Sequence, residues 1–271
     1  MRVETRRLAT QSDTCGPSAH LSPFVGAYWS RSGFNDGRTM RVLPDASSYV
    51  IFELAGEKAG CAYLVGTLLQ PVLIELNGQV GRIGIRLRPG MANLLFGISA
   101  RDIRQHVSGL DDACIRSSSS LLEALATTRD FRSRVGAIEN WLLGQLQTLR
   151  PSAVATQIET AQLFNAVIRG AGPRDLRALV GWSERRIQRF FRDRFGASAA
   201  TLSRWSRFRR SLAALETKNH PSRATVSAEL GYSDQAHMCR EFREFSGTDI
   251  GSLLSERQNV GNVQAVGQAT V

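Results

Sequence analysis

Ala228-Glu-Leu-Gly231-Tyr232-Ser233-Asp234-Gln235-Ala236-His237-Met238-Cys239-Arg240-Glu-Phe242-Arg-Glu-Phe245-Ser-Gly247 is the stretch that decides the architecture of this 271-residue chain. Gly231 ends one short helix, because glycine accepts the positive φ that turns a chain. Tyr232 fills the corner. Ser233 reads as the cap of the next helix, and Asp234 beside it favours the positive helix start. Met238, Phe242 and Phe245 fall on one side of that helix as its buried bulk, and Gln235, His237 and Arg240 form its polar set.

The same grammar occurs about 50 residues upstream, as Ala178-Leu-Val-Gly181-Trp182-Ser183-Glu184 followed by Arg185 to Gly196. Both copies run Ala-x-x-Gly-aromatic-Ser-acid, then a helical stretch, then glycine; the second is one residue longer before its closing glycine. In the first copy Ile187, Phe190, Phe191 and Phe195 supply apolar bulk. Arg185, Gln188, Arg189 and Arg192 fall at i, i+3, i+4 and i+7, which is a single helix face. Helix, tight turn, helix is the arrangement whose second helix enters the DNA major groove. A face of three arginines and a glutamine suits phosphates and base edges.

Around these copies the second half reads as short helices at about 156–169, 173–180, 184–194, 198–216, 223–230, 234–245 and 249–256, punctuated by glycines. The helix joining the two copies carries Arg204, Arg207, Arg209 and Arg210. Upstream the texture differs. Tyr49–Leu54, Ala62–Val65, Val72–Leu76 and Ile83–Arg88 are short apolar or alternating runs that read as strands. Asn77-Gly78 reads as a tight turn between two of them. Ser99-Ala-Arg-Asp102 reads as a helix start, and residues 117–149 carry apolar residues at helical spacing up to Pro151.

The fold class expected is therefore α+β. A small N-terminal β-barrel with following helices (21–150) precedes an all-α domain of about seven helices with two helix-turn-helix units (156–257). Loose tails are expected at 1–20, with an entry strand as the alternative, and at 258–271.

Composition supports a polyanionic partner. The formal net charge is +10, and a balance of that sign points to nucleic acid or, less often, an anionic membrane. Nearly all the basic residues are arginine, with lysine only at 58 and 218. Codon bias accounts for arginine over lysine but not for the sign. No apolar run is long enough to span a membrane, and the polar N-terminus does not read as a secretory signal, so a cytoplasmic location is expected. Cys15, Cys61, Cys114 and Cys239, like His20, His106, His220 and His237, are scattered without zinc-site spacing. No metal, cofactor or catalytic residue is expected.

Residues 156–256, and above all 228–247, resemble the AraC/XylS family of bacterial transcription regulators. The resemblance implies seven helices, a long linker helix and two recognition helices reading successive major-groove segments. By position it implies base contacts from Arg185, Gln188 and Arg189, and from Gln235, Ala236, His237 and Arg240, with Arg192 on the same surface. Ser183, Ser233, Arg204 and Arg207 are its backbone candidates. Asp249-Ile250 stands where many members carry proline. Met40-Arg-Val-Leu-Pro-Asp45, Ile51-Phe52 and Gly84–Gly90 resemble the β-rich domain preceding this unit in some members, which implies a cupin-like sensor or dimerisation domain. The partners implied are double-stranded DNA, RNA polymerase, a small-molecule effector and a second copy of the chain.

Plainer readings stand beside these. Arg41, Asp45, Arg86 and Arg88 suit solvated ion pairs ahead of an anion pocket. Trp182 and Tyr232 suit the packed corner ahead of base stacking, and Cys239 suits a small packing residue ahead of a redox sensor. The competing functions are a DNA-linked enzyme, of alkylation-response or cupin oxygenase type, and a sequence-indifferent architectural binder. The first needs a reactive cysteine or a metal triad that the sequence does not present. The second has no use for glutamine or histidine aimed at bases.

Overall fold

Alternating apolar residues build the N-terminal half. The computed structural model describes residues 11–55, 60–110, 118–149, 152–217 and 221–260. Strands β1 (Gln11–Cys15), β2 (Val25–Val42), β3 (Ser48–Ala55), β4 (Cys61–Val65), β5 (Val72–Leu87) and β6 (Val107–Gly109) form one antiparallel sheet in the order β1-β2-β5-β3-β4-β6. β2 and β5 pair along their whole length, from Val25↔Leu87 to Val42↔Val72, whereas β3 meets only the Gly81–Leu87 end of β5.

That register forces the sheet to curl. Val42 and Ser48 are six residues apart, a reach of about 20 Å, yet along a straight ribbon they would be separated by about 55 Å. The β2–β5 ribbon therefore folds back on itself. A bulge between Asp36 and Arg38, with Gly78 opposite Asn35, interrupts the ladder and bends β2 there. Gly78 adopts φ +68°, so Asn77-Gly78 does supply a left-handed residue. It does so inside a continuous strand rather than in a hairpin turn, because β2 bends beside it at the same level. The two runs expected as separate strands, Val72–Leu76 and Ile83–Arg88, are accordingly one strand.

Helices close the open face. α1 (Met91–Phe96), α2 (Ser118–Thr127) and α3 (Phe131–Gln147) pack Leu121, Leu125, Ile138, Trp141 and Leu142 against Tyr28, Phe52, Ile83 and Ile85 of the sheet. Phe52 meets Trp141 edge to face at 6.3 Å. The expected helix at Ser99 is absent. Asp102 N donates to Ser99 O at 3.0 Å in a turn, Gln105 takes φ +58°, and Ala100 N turns away to a carbonyl of another helix. A tertiary hydrogen bond outcompetes the local helix signal there.

The second half consists of α4 (Ser152–Ile168), α5 (Pro173–Val180), α6 (Glu184–Phe195), α7 (Ala199–Leu215), α8 (Arg223–Glu229), α9 (Gln235–Ser246) and α10 (Ile250–Val260). These match the expected helices closely, since serine, aspartate and glycine caps are local signals. Three differences appear at the margins. α4 begins at Ser152, Gln11–Cys15 is a strand within the expected N-terminal tail, and α10 continues to Val260. Phe191, Phe195, Phe208, Phe242 and Phe245 lie at the centre of the helical core. None of the described helices is long and apolar enough to cross a membrane.

The two halves share that core. Leu43 and Ala46, from the β2–β3 connection, lie in the helical cluster, and Trp205 Nε1 on α7 donates to Pro44 O at 2.9 Å. Ala100 N donates to Asp193 O at 2.8 Å, and the contact is tight: a Cβ at Gly196 would lie 2.8 Å from Ala100 O. Gly196 also closes α6 at φ +66°. Gly196→Ala should therefore cost about 2 kcal/mol or more, from left-handed backbone strain with the clash added. Chemical denaturation should show a lower midpoint; an unchanged midpoint would mean that the two halves do not meet there.

Candidate nucleic-acid interface

The first unit is α5, a turn and α6. Asp175 accepts from Gly172 N at 2.8 Å at the start of α5, and Gly181 ends that helix in the left-handed region. Trp182 fills the corner, as expected, edge to face with Phe190 at 5.2 Å. The Arg186 guanidinium lies 4.0 Å from the Trp182 ring, a cation–π contact. Ser183 caps α6, its hydroxyl accepting from Arg186 N at 3.3 Å. Ile187, Phe191 and Phe195 are buried, so Arg185, Gln188, Arg189 and Arg192 stand exposed on the opposite face. They line a surface depression of about 600 Å³ together with Arg101 and Asp193. Gln188 Nε2 donates to Glu184 at 3.1 Å. A smaller cleft of about 400 Å³ is lined by Arg174, Arg177 and Trp182; sequence reading passed over these two arginines.

The second unit is α8, a turn and α9. Tyr232 is buried in the corner, sharing a hydrogen bond of 3.1 Å with Ser211 on α7. The cap differs from expectation. Asp234, not Ser233, occupies the N-cap and accepts from His237 N at 2.6 Å. That bond holds the Asp234 carboxyl below the usual carboxylate range. Ser233 instead contacts Asp234 and the His237 ring.

The shift explains the one-residue difference between the copies. Both α6 and α9 are 12 residues long, so the extra residue lengthens the turn. Counted from the helix start, Arg185 corresponds to Ala236, Gln188 to Cys239, Arg189 to Arg240 and Arg192 to Arg243. Arg243 is exposed and was missed because positions were counted from the opening glycine. Counting four back from each closing glycine finds Arg192 and Arg243 at once. Gln235, Ala236 and Arg240 are exposed as well. His237 corresponds to Arg186 and, like it, lies against the corner aromatic: Arg186 is exposed over Trp182, whereas His237 is half-buried, its ring edge to face with Tyr232 at 5.3 Å and its Nε2 at 3.5 Å from Glu241. It belongs to the corner rather than to the open face.

Arg204 and Arg207, expected at the DNA backbone, are engaged internally. Glu241 on α9 is only 2% exposed. Arg204 Nε reaches its carboxylate at 2.8 Å and Arg207 Nη2 at 2.6 Å. Arg207 also donates to Gly231 O at 3.2 Å, and Arg204 pairs with Glu244. Burial pushes the Glu241 carboxyl upward, but the hydrogen bonds and charges of Arg207 and Arg204 prevail and hold it below its ordinary range. The pair therefore fastens α9 to α7. Of the other arginines on α7, Arg210 is exposed and Arg209 is half-buried. Burial lowers the Arg209 pKa, with Asp45 of the N-terminal half working against it.

The remaining N-terminal candidates form ion pairs and hydrogen bonds. Arg41 binds Glu256 at 2.9 Å and Ser246 O at 2.8 Å. Arg86 lies 3.4 Å from Asp45, which also accepts from Tyr49 at 2.5 Å. Arg88 donates to Ser22 O at 2.6 Å. The ion-pair reading is right, but Arg41, Asp45 and Arg86 are largely buried rather than solvated. Cys239 is half-buried against the helical core. Cys114 and His220 lie outside the described residues. Among the described residues no group of three His, Cys, Asp or Glu gathers as a metal site.

Two family models match separate stretches of the chain. Residues 176–254 match the family described as "Helix-turn-helix domain", and residues 13–108 match a domain of unknown function, DUF6597. No curated protein matches the chain. Among solved structures, ToxT from Vibrio cholerae (P21 form) is similar at 9% identity and TM-score 0.41, over 92% of this chain and 98% of that one. ToxT from Vibrio cholerae O395, bound to a methylnaphthalenyl butenoic acid, gives 7% and 0.45 over 92% and 99%. Unsaturated fatty acid-bound ToxT from strain SCE256 gives 11% and 0.39 over 94% and 97%. At such scores these neighbours assign neither a ligand nor an operator to this chain.

Glu241→Gln should destabilise the protein by about 2 kcal/mol at neutral pH. That is below the cost of breaking a fully buried pair, because both arginines are partly solvated. The carboxyl is depressed, so its contribution is present above the ordinary glutamate range and is lost as pH falls through the lowered value. Denaturation at several pH values should show the gap between parent and variant closing in acid. A gap that does not change with pH would remove the ion pairs from the account.

Proposed function

We propose that the chain, whose residues 176–254 match a helix-turn-helix domain, is a sequence-specific DNA-binding regulator of transcription of the AraC type. One observation carries the reading: α6 and α9 share three buried positions, Ile187/Met238, Phe191/Phe242 and Phe195/Ser246, and leave matching arginine-bearing faces open. Arg185, Gln188 and Arg189 of α6 would meet base edges of one major-groove segment, and Gln235, Ala236 and Arg240 of α9 those of the next. Arginine pairs with guanine through two donors, glutamine with adenine, and an alanine methyl with the thymine methyl. Arg192 and Arg243, in the last turns, would meet phosphates. Arg174 and Arg177 of α5 would do so where the first helix of such a unit crosses the backbone. Ser183 would orient α6 through its cap, and Ser233 would act through His237.

The N-terminal half would carry control. What supports this is its contact with both recognition helices, through Asp193 and Ser246. A small-molecule effector, RNA polymerase and a second copy of the chain complete the reading as partners implied by the family resemblance.

The test is selection of bound duplexes from a random pool, followed by footprinting. Binding should fall steeply with salt: with roughly six phosphates neutralised, log K changes with a slope near −5 against log salt. Arg189→Ala and Arg240→Ala should each relax discrimination at one base pair by about 1–3 kcal/mol. Arg243→Ala should weaken binding evenly across sequences and lower the slope by about 1. Equal affinity for the selected and random duplexes would favour an architectural binder. Footprints of both variants identical to the parent's would displace these side chains from base contact.

A further inference from the structure

We propose that the N-terminal half itself contributes a DNA contact: Arg101, on the segment between α1 and β6, is a phosphate-binding residue of the first recognition surface. The inference rests on the DNA-binding reading of α6 and extends it to a residue outside the helix-turn-helix domain.

The segment is held on two sides. Toward the helices, Ala100 is buried at 1% exposure and its N–H donates to Asp193 O at 2.8 Å. Toward the sheet, Gln105 N donates to Thr67 O at 3.3 Å and Gly66 N to His106 O at 3.1 Å. Side chains confirm the wedge. Ile103 is 5% exposed in the sheet core, and Gln105 Oε1 accepts from Leu69 N and Gln70 N. Gly66 allows no side chain there, since a Cβ would lie 1.8 Å from Ile103 O. The backbone on either side of Arg101 is therefore placed by the fold.

Arg101 itself is exposed. It shares the walls of the 600 Å³ depression with Arg185, Gln188, Arg189, Arg192 and Asp193. Four guanidiniums against one carboxylate give that surface a net positive charge. Among the described residues Arg101 forms no ion pair, whereas Arg41, Arg82, Arg86, Arg204, Arg207 and Arg257 all do.

Groove geometry selects phosphate over base. The major groove is about 12 Å wide and admits one helix. A neighbouring segment beside the open face of that helix meets the wall of the groove, which is sugar and phosphate. Such a contact adds affinity without reading sequence.

The test uses the full-length protein and a duplex recovered by selection with the parent. Arg101→Ala should keep the parent's fold by circular dichroism and its footprint sequence. It should bind roughly fivefold to tenfold more weakly at low salt, with the salt slope reduced by about 1. Arg101→Lys should restore most of the slope, and Arg129→Ala, removing an exposed charge between α2 and α3, should not change it. If the parent binds with a steep slope and Arg101→Ala matches it, or binds more tightly, the proposal is overturned while the reading of α6 stands. If the parent itself shows no salt-dependent binding to any duplex, both fall together.

Discussion

The N-terminal half supplies a hydrogen-bond donor to the C-terminal end of both α6 and α9, and that pair of contacts fixes how the two helices sit against the β domain. The last four carbonyls of a helix have no partner within it. On α6 one of them, Asp193 O, is satisfied by Ala100 N. On α9 another, Ser246 O, is satisfied by the Arg41 guanidinium, which also neutralises the negative end of the helix and holds Glu256 of α10. The two donors come from opposite parts of the β domain, one from the segment after α1 and one from the far end of the curled β2–β5 ribbon. The curl brings that far end back to the helices, and the bulge at Asp36/Arg38 bends β2 on the way.

Sequence-similar units are stabilised here by different chemistry. α6 is held by aromatic packing, with Phe191 and Phe195 fully buried, Phe164 5.5 Å from Phe195, and Trp182 closing the corner. α9 keeps an aromatic pair, Phe242 and Phe245, against Phe208, and adds a buried carboxylate gripped by two arginines of α7. Buried ion pairs contribute little net stability compared with well-packed hydrocarbon, but they tolerate few alternative geometries. The cluster at Glu241 ties the turn at Gly231, the corner at Tyr232 and the start of α9 to one helix. It therefore fixes how the second unit is oriented rather than merely how strongly it folds.

What was legible in the sequence follows from the range of each signal. Helix limits in the second half could be read within a few residues because Ser183 and the glycines act on adjacent backbone groups. The open face of α6 was legible for the same reason: a 12-residue amphipathic helix declares which side is buried. The pairing of Arg204 and Arg207 was not legible because their partner, Glu241, looks like any surface glutamate until α7 and α9 are brought together. Arg243 was missed through a one-residue shift in the turn, which a motif aligned at its opening cannot register. In the β domain, Asn77-Gly78 and Ser99 gave true local signals. Distant strand pairing at the first and a hydrogen bond to α6 at the second overruled them.

Anchoring α6 and α9 to one domain would have a consequence for a duplex gripped by both. Helices on a loose tether could each settle into its own groove and absorb small changes in twist or spacing. Helices fastened to a common frame leave that adjustment to the duplex, at an elastic cost that depends on the base steps between them. Positions that no side chain reaches would then influence affinity through stiffness alone, so bendability of the central steps becomes part of what is recognised.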